Sequence, residues 1–286
     1  MSDRFLRRSL LYVPSCSEKM LDKAIAVDAD AVIFDLEDSV SPEEKEKARK
    51  NVEERLEGKA YGKKEVIVRI NSPDTPWGVE DMIKILPLSP DAIILPKADR
   101  VSVSALSTLM HALSPGGVRM IPLIETPASI VDAYEILGLS GFIDGVQLGA
   151  EDLTREMEVK RTGDGNEILY AREMLVFAAK ARKVDVLDTP YTSVKDIDGL
   201  RRDARLAKSL GFTGKVCIHP SHIDVINEVF SPGKEDAEEA EELLKLFDLA
   251  RKDGKGAFSY KGKMVDSPVA ERARGLLERY KAIGNL

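Results

Sequence analysis

The 286-residue chain has little of what holds small or secreted folds together. It contains two cysteines, Cys16 and Cys217, far apart and with no CxxC, one tryptophan, and three histidines, His111, His219 and His222. A disulfide framework or a structural zinc site needs more than that, so both thiols read as free in a reducing compartment. No run approaches the ~20 apolar residues of a membrane span. The opening MSDRFLRRSLLYVPSCS has too short an apolar run for a signal peptide, and Pro14 breaks it. The expectation is a cytoplasmic protein with no membrane partner. Surplus positive charge is also missing: 42 Lys and Arg face 49 Asp and Glu, a formal charge of −7. That argues against nucleic-acid binding, which is built from excess Lys and Arg. No GxGxxG follows the first apolar run and no GxSxG occurs, so neither a dinucleotide fingerprint nor a nucleophile elbow is present.

What the chain does have is 43% apolar residues, evenly spread, beside 32% charged ones. Short β-branched or apolar runs alternate with charge-rich helical segments, the pattern of parallel strands buried on both faces. The runs are SLLYVP (9–14), AVIFDLEDSV (31–40), EVIVRIN (65–71), AIILPK (92–97), RMIPLIET (119–126), GFIDGVQLGAED (141–152), VDVLDTPY (184–191) and GKVCIHP (214–220). Helices are predicted between them, including one capped by Ser17 and a single helix from Pro127 to about Gly138. Eight strand–helix units in roughly 230 residues match a (β/α)8 TIM barrel, whereas a doubly wound open sheet would usually end after five or six strands. The barrel domain is assigned to residues 1–233. Residues 234–286 then form a charged helix, a hairpin or loop over 254–266 and a closing helix. Phe258, Tyr260, Met264 and Val265 in that excursion need somewhere to bury, which suggests a lid or a contact with a neighbouring subunit.

Catalytic groups in such barrels sit at the carboxyl ends of strands. Those ends here carry Asp35, Glu37, Asp38, Arg69, Asn71, Lys97, Glu125, Glu151, Asp152, Asp188 and His219, while AVIF, VIV and AIIL carry no polar residue. Each could merely cap the next helix, but the whole ring is hard to explain that way. Converging carboxylates raise one another's pKa unless a cation offsets them. Arg69 and Lys97 are too few, so a hard ion, Mg2+ or Mn2+, is expected. Arg69, with Asn71 on its face of the strand, suits a substrate carboxylate. Lys97 reads as a cation for an anionic ligand rather than a Schiff base. Metal, arginine and carboxylates together suggest enolate or aldol-type chemistry on a 2-oxo or 3-hydroxy acid.

The segments SLLYVP, FDLEDSV, VRIN, ILPKA, PLIETP, LGAEDL, IHP and GKMVDSPVAERA, in this order from Arg8 to about Arg274, resemble the citrate lyase β-subunit family. That family includes stand-alone malyl-CoA and citramalyl-CoA lyases. The resemblance implies a (β/α)8 barrel assembled as trimers or hexamers that cleaves or forms a carbon–carbon bond in a 3-hydroxyacyl thioester. It implies that Glu125 and Asp152 bind Mg2+, with Glu37 and Asp38 near the ion's water shell. Arg69 would hold the 2-oxo acid, and Asp266 would be the proton-handling residue on a lid that reaches a neighbouring subunit. Two departures bear on the acyl carrier: Ser15 stands where the family has glycine, and Ser221 and His222 follow IHP where it often has glutamine. Lys19 and Lys23 are candidate phosphate contacts or simply solvated helix charge.

The expected activity is therefore Mg2+-dependent cleavage of a 3-hydroxy-3-carboxyacyl thioester, such as malyl-CoA or citramalyl-CoA, to acetyl-CoA and a 2-oxo acid. Alternatives are the β-subunit of a citrate lyase complex acting on a citryl group on an acyl-carrier protein, a malyl-CoA thioesterase, and a non-catalytic binding protein that keeps the barrel.

Overall fold

Eight short parallel strands follow one another and close: β1 (Ser9–Pro14), β2 (Ala31–Asp35), β3 (Glu65–Arg69), β4 (Ala92–Leu95), β5 (Arg119–Ile124), β6 (Gly145–Leu148), β7 (Asp185–Asp188) and β8 (Gly214–Cys217). Each pairs in parallel with its successor, and β8 returns to β1 with Leu10 opposite Val216. This is a (β/α)8 barrel, in a computed structural model that describes residues 5–58, 61–62, 64–114, 117–254 and 256–284. The intervening helices are α1 (Glu18–Ala24), α2 (Lys45–Gly58), α3 (Gly78–Ile85), α4 (Arg100–Leu113), α5 (Pro127–Val131), α6 (Ala133–Ile136), α7 (Ala150–Glu156), α8 (Leu169–Arg182), α9 (Ile197–Leu210) and α10 (Ile223–Phe230).

Period-two alternation sends every second strand residue inward. Leu10, Ile33, Ile67, Ile94, Ile121, Leu187 and Val216 meet in one buried cluster, with Tyr12 packed on top. Each such aliphatic side chain contributes roughly 1.5–3 kcal/mol by leaving water. The amino ends of the strands are closed by Arg7. Its guanidinium donates to Glu65 at 2.8 and 2.5 Å and to Asp144 at 2.9 and 3.1 Å.

The strands stop earlier than the apolar runs suggest. After β2 the Asp35 carboxylate accepts from the backbone N–H groups of Glu37 and Ser39, at 3.0 and 3.2 Å, and this turn takes the chain out of the ladder. The single helix expected over 127–138 is two, α5 and α6, broken at Asp132. Ser17 does cap α1.

The chain divides into two compact units, one up to Glu228 and one from Val229 onward. The second unit holds α11 (Lys234–Lys252), an antiparallel hairpin of β9 (Phe258–Tyr260) and β10 (Lys263–Val265), and α12 (Ser267–Gly284). In the predicted 254–266 excursion, Lys255 lies outside the described residues. Tyr260 and Val265 bury against Leu243, Phe247 and Ala270, but Met264 is exposed. Asp266 starts α12, accepting from Val269 N–H at 3.3 Å. No helix among the described residues is long and apolar enough to cross a membrane.

Candidate active site

A cleft of about 380 Å³ opens at the carboxyl ends of the strands, lined by Tyr12, Asp35, Asp38, Arg69, Leu123, Glu125, Gln147, Gly149, Asp152 and Ile218, among others. Glu125 and Asp152, 27 residues apart in sequence (152 − 125), therefore face one space.

Glu125 continues the inward parity of Ile121 and Leu123 just past β5. Its backbone is pinned by a capping box: Thr126 accepts from Ser129 N–H at 3.1 Å, and Ser129 Oγ accepts from Thr126 N–H at 3.1 Å. Its Oε1 accepts the backbone N–H of Lys97 at 2.7 Å. Gly149 is needed beside it, because a Cβ there would lie 2.5 Å from Glu125 Cβ and 2.6 Å from Oε2. Burial pushes the Glu125 carboxyl up to about 8, helped by the nearby charges of Asp152 and Glu37 and opposed by Lys97 N–H and Arg69. Asp152 lies in the first turn of α7, where the helix dipole favours a negative charge, and pairs with the exposed Arg155.

Arg69 is held from one side. Its Nε and Nη2 donate to the two Asp35 oxygens at 2.7 Å each, and its Nη1 lies 2.8 Å from Glu37 Oε2. Burial works to raise the Asp35 carboxyl, yet Arg69 overrides it and holds it below the ordinary range. Burial pushes Glu37 up to about 7 despite Arg69.

Two oxygen donors in a cleft with a buried, proton-holding carboxylate fit a hard divalent ion that keeps several waters. Among the described residues no group of three or more His, Cys, Asp or Glu is arranged to hold a metal by itself, so water or substrate would complete the shell.

The HpcH/HpaI aldolase/citrate lyase family model matches residues 8–220. The chain belongs to this family. It is 34% identical to citrate lyase subunit beta of Haemophilus influenzae, over 97% of this chain and 98% of that one. It is also 34% identical to (3S)-malyl-CoA thioesterase of Cereibacter sphaeroides, over 96% and 95% respectively. Among solved structures, protein CitE from Mycobacterium tuberculosis in complex with magnesium, acetoacetate and coenzyme A superposes with a TM-score of 0.78. The identity is 30%, over 96% of this chain and 98% of that chain.

Not every residue expected in the ring of this aldolase/citrate lyase barrel reaches the cleft. Asn71 is buried away from it: its amide donates to Asp81 at 2.6 Å and its Oδ1 accepts from Lys45 Nζ at 2.7 Å. Its expected substrate contact is thus replaced by a link between the loops after β2 and β3. Asp188 is wholly buried on the outward face of β7, held by Arg172 and Lys215. Lys97 contributes its backbone N–H, while its Nζ is half-exposed and 3.7 Å from Glu37. Asp38 lines the cleft with its side chain largely in solvent. His219 is exposed and turned to Ser221. Ser15 is fully buried, its N–H donating to Asp35 O at 3.2 Å and its carbonyl accepting from Asn51 at 2.9 Å. Lys19 and Lys23 are exposed on α1.

Three contributors were missed. Tyr12 and Gln147 stand on the cleft floor, and strand parity in β1 and β6 carried that signal. Lys45 is buried and donates to the carbonyls of Leu36 and Glu37, each at 2.8 Å, which fixes the loop bearing Glu37. A lysine in a charged helix gives no sign of this role.

Proposed function

We propose that the chain is a Mg2+-dependent carbon–carbon lyase. It cleaves, or forms, a 3-hydroxy-3-carboxyacyl thioester such as malyl-CoA or citramalyl-CoA, giving acetyl-CoA and a 2-oxo acid. The observation that carries this reading is that Glu125, Asp152 and Arg69 line one cleft in a barrel of this family.

Glu125 and Asp152 would hold the ion, which when bound supplies a Lewis acid for the oxo acid's carbonyl. Arg69 gives Nε and Nη2 to Asp35 and sets Nη1 2.8 Å from Glu37, and its remaining N–H donors would meet the substrate's carboxylate. Glu37 and Asp38 would border the ion's water shell. Asp35 keeps the guanidinium in one orientation, so little reorganisation is needed as charge develops. Asp266, supplied by a neighbouring copy in a homotrimer or hexamer, delivers the proton to the thioester's α-carbon and removes it in the synthetic direction. Its support is the resemblance of the MVDSP segment.

The test is a mass-spectrometric assay of malyl-, citramalyl- and citryl-CoA with Mg2+ and with EDTA. Cleavage to acetyl-CoA and a keto acid that stops with EDTA is expected. Asp266→Asn should abolish turnover while thioester binding persists. Equal turnover of the wild type with and without divalent ion would remove the metal from the reaction.

The relatives favour two further outcomes of the same assay. Free CoA and malate without keto acid would mark a thioesterase, in line with the Cereibacter relative. Activity only on a citryl group carried by an acyl-carrier protein would mark a citrate lyase β-subunit, in line with the Haemophilus relative.

A further inference from the structure

The cleft floor holds a polar pair that the proposed chemistry does not use. Tyr12 of β1 and Gln147 of β6 both line the cleft, and the Tyr12 hydroxyl donates to Gln147 Oε1 at 3.0 Å. Gln147 is only 3% exposed, yet its amide NH2 donates to no group among the described residues. The Tyr12 ring carries the Arg69 guanidinium 4.8 Å from its centroid, so the pair sits against the group that would hold the oxo acid. Below this level the barrel is filled by aliphatic side chains. The amide is therefore open to whatever occupies the cleft.

We infer that Gln147, braced by Tyr12, selects a 2-oxo acid whose substituent carries a hydrogen-bond-accepting oxygen, and disfavours those ending in hydrogen or methyl. The inference rests on the proposed lyase reaction in that same cleft and narrows its oxo acid: glyoxylate and pyruvate, the oxo acids of malyl-CoA and citramalyl-CoA, become the poorer members of the series. A buried donor left facing an alkyl group keeps its desolvation penalty, and a site built to hydrogen-bond a substrate rejects the analogue that lacks the oxygen. Two kinds of substituent meet the requirement, a hydroxyl and a carboxylate. Asp35, Glu37, Glu125 and Asp152 already crowd this space, and that crowding favours the uncharged hydroxyl.

The test measures Mg2+-dependent condensation of acetyl-CoA with hydroxypyruvate and with 2-oxobutyrate, which match in size and differ by one oxygen, and with oxaloacetate, pyruvate and glyoxylate. Calorimetric binding of the same acids to the Mg2+-loaded protein gives a readout independent of turnover. Hydroxypyruvate should exceed 2-oxobutyrate at least tenfold in both kcat/KM and affinity, and Gln147→Leu should bring both ratios close to one. Oxaloacetate above hydroxypyruvate would keep the inference and assign the carboxylate as the oxygen source. Equal use of hydroxypyruvate and 2-oxobutyrate, or a ratio that Gln147→Leu leaves unchanged, overturns the inference while the lyase reading stands. No Mg2+-dependent condensation or cleavage with any acid overturns both.

Discussion

Two groups of buried charge in the barrel differ in one respect, whether their signs balance. Outside β7 and β8, Arg172 and Lys215 face Asp188 and Asp203, two cations against two anions, with contacts of 2.5–2.9 Å. Burial works to raise Asp203 there, but Lys215 and Arg172 pull its carboxyl below the ordinary range. In the cleft, Asp35, Glu37, Glu125 and Asp152 face Arg69, with the half-exposed Lys97 3.7 Å from Glu37. Here burial wins, and Glu125 is pushed up to about 8. A balanced cluster closes on itself and serves stability. An acid-rich one stores a demand for a cation, and that demand is where function is to be sought.

The sharpest break in the comparison is to remove one acid from each group. Glu125→Gln should cut Mg2+-dependent turnover on the order of 10²–10³-fold, the scale of losing one preorganised charge, and abolish Mg2+ binding by calorimetry. Its urea midpoint should hold or rise, because a buried carboxyl with no cation partner is gone. Asp188→Asn should do the reverse. Two buried cations lose their partner, at a cost of about 3–5 kcal/mol in urea unfolding, while Mg2+ affinity stays within twofold. If both variants lost stability alike, the distinction between closed and open clusters would fail.

The next effect is a dependence on pH. Burial first, then neighbouring acids, raise Glu125 from an ordinary 4.5 to about 8, and burial raises Glu37 from 4.5 to about 7. A carboxyl raised in the folded state holds its proton more tightly there than when unfolded. The stability it contributes to the metal-free protein is complete below about 4.5 and is lost as pH rises through about 7 and then about 8. Magnesium needs the ionised forms, so its binding should strengthen across the same window and release protons. Thermal unfolding from pH 5 to 9 should show the metal-free midpoint falling and the gain from Mg2+ growing. A gain that is flat over this range would remove Glu125 as a ligand.

Much of this was legible from the residues because the barrel repeats one simple rule. Apolar runs marked each strand, β1 to the residue, and polar residues at the carboxyl ends pointed to Arg69, Glu125 and Asp152. The errors came from parity and from neighbours remote in sequence. Asp188 ends its strand as Asp35 does, but on β7 it is Leu187 that joins the interior cluster, so Asp188 points out to the helices. Asn71 has inward parity with Arg69, yet β3 has ended and Asp81 and Lys45 draw its side chain under the loop. Lys45 itself was invisible, since its acceptors are two backbone carbonyls and the remote Asn71 amide oxygen, which only the fold assembles. Asp266 was picked out by its motif alone.

The smallest effect tests how each group treats its exposed members. Asp152 pairs with Arg155 one turn later on α7, and the Arg155 side chain is 71% exposed. Such surface pairs contribute about 0–1 kcal/mol because water screens them and long side chains lose freedom. Arg155 therefore competes weakly with an ion for the Asp152 carboxylate. Arg155→Ala should tighten Mg2+ binding by no more than about fivefold, the equivalent of 1 kcal/mol, with unfolding changed by less than about 0.5 kcal/mol, as for most surface substitutions. Weaker binding would mean that Arg155 holds Asp152 in place for the ion instead of competing for it. The α7 pair would then belong with the closed cluster at Asp188, where each cation is part of the frame.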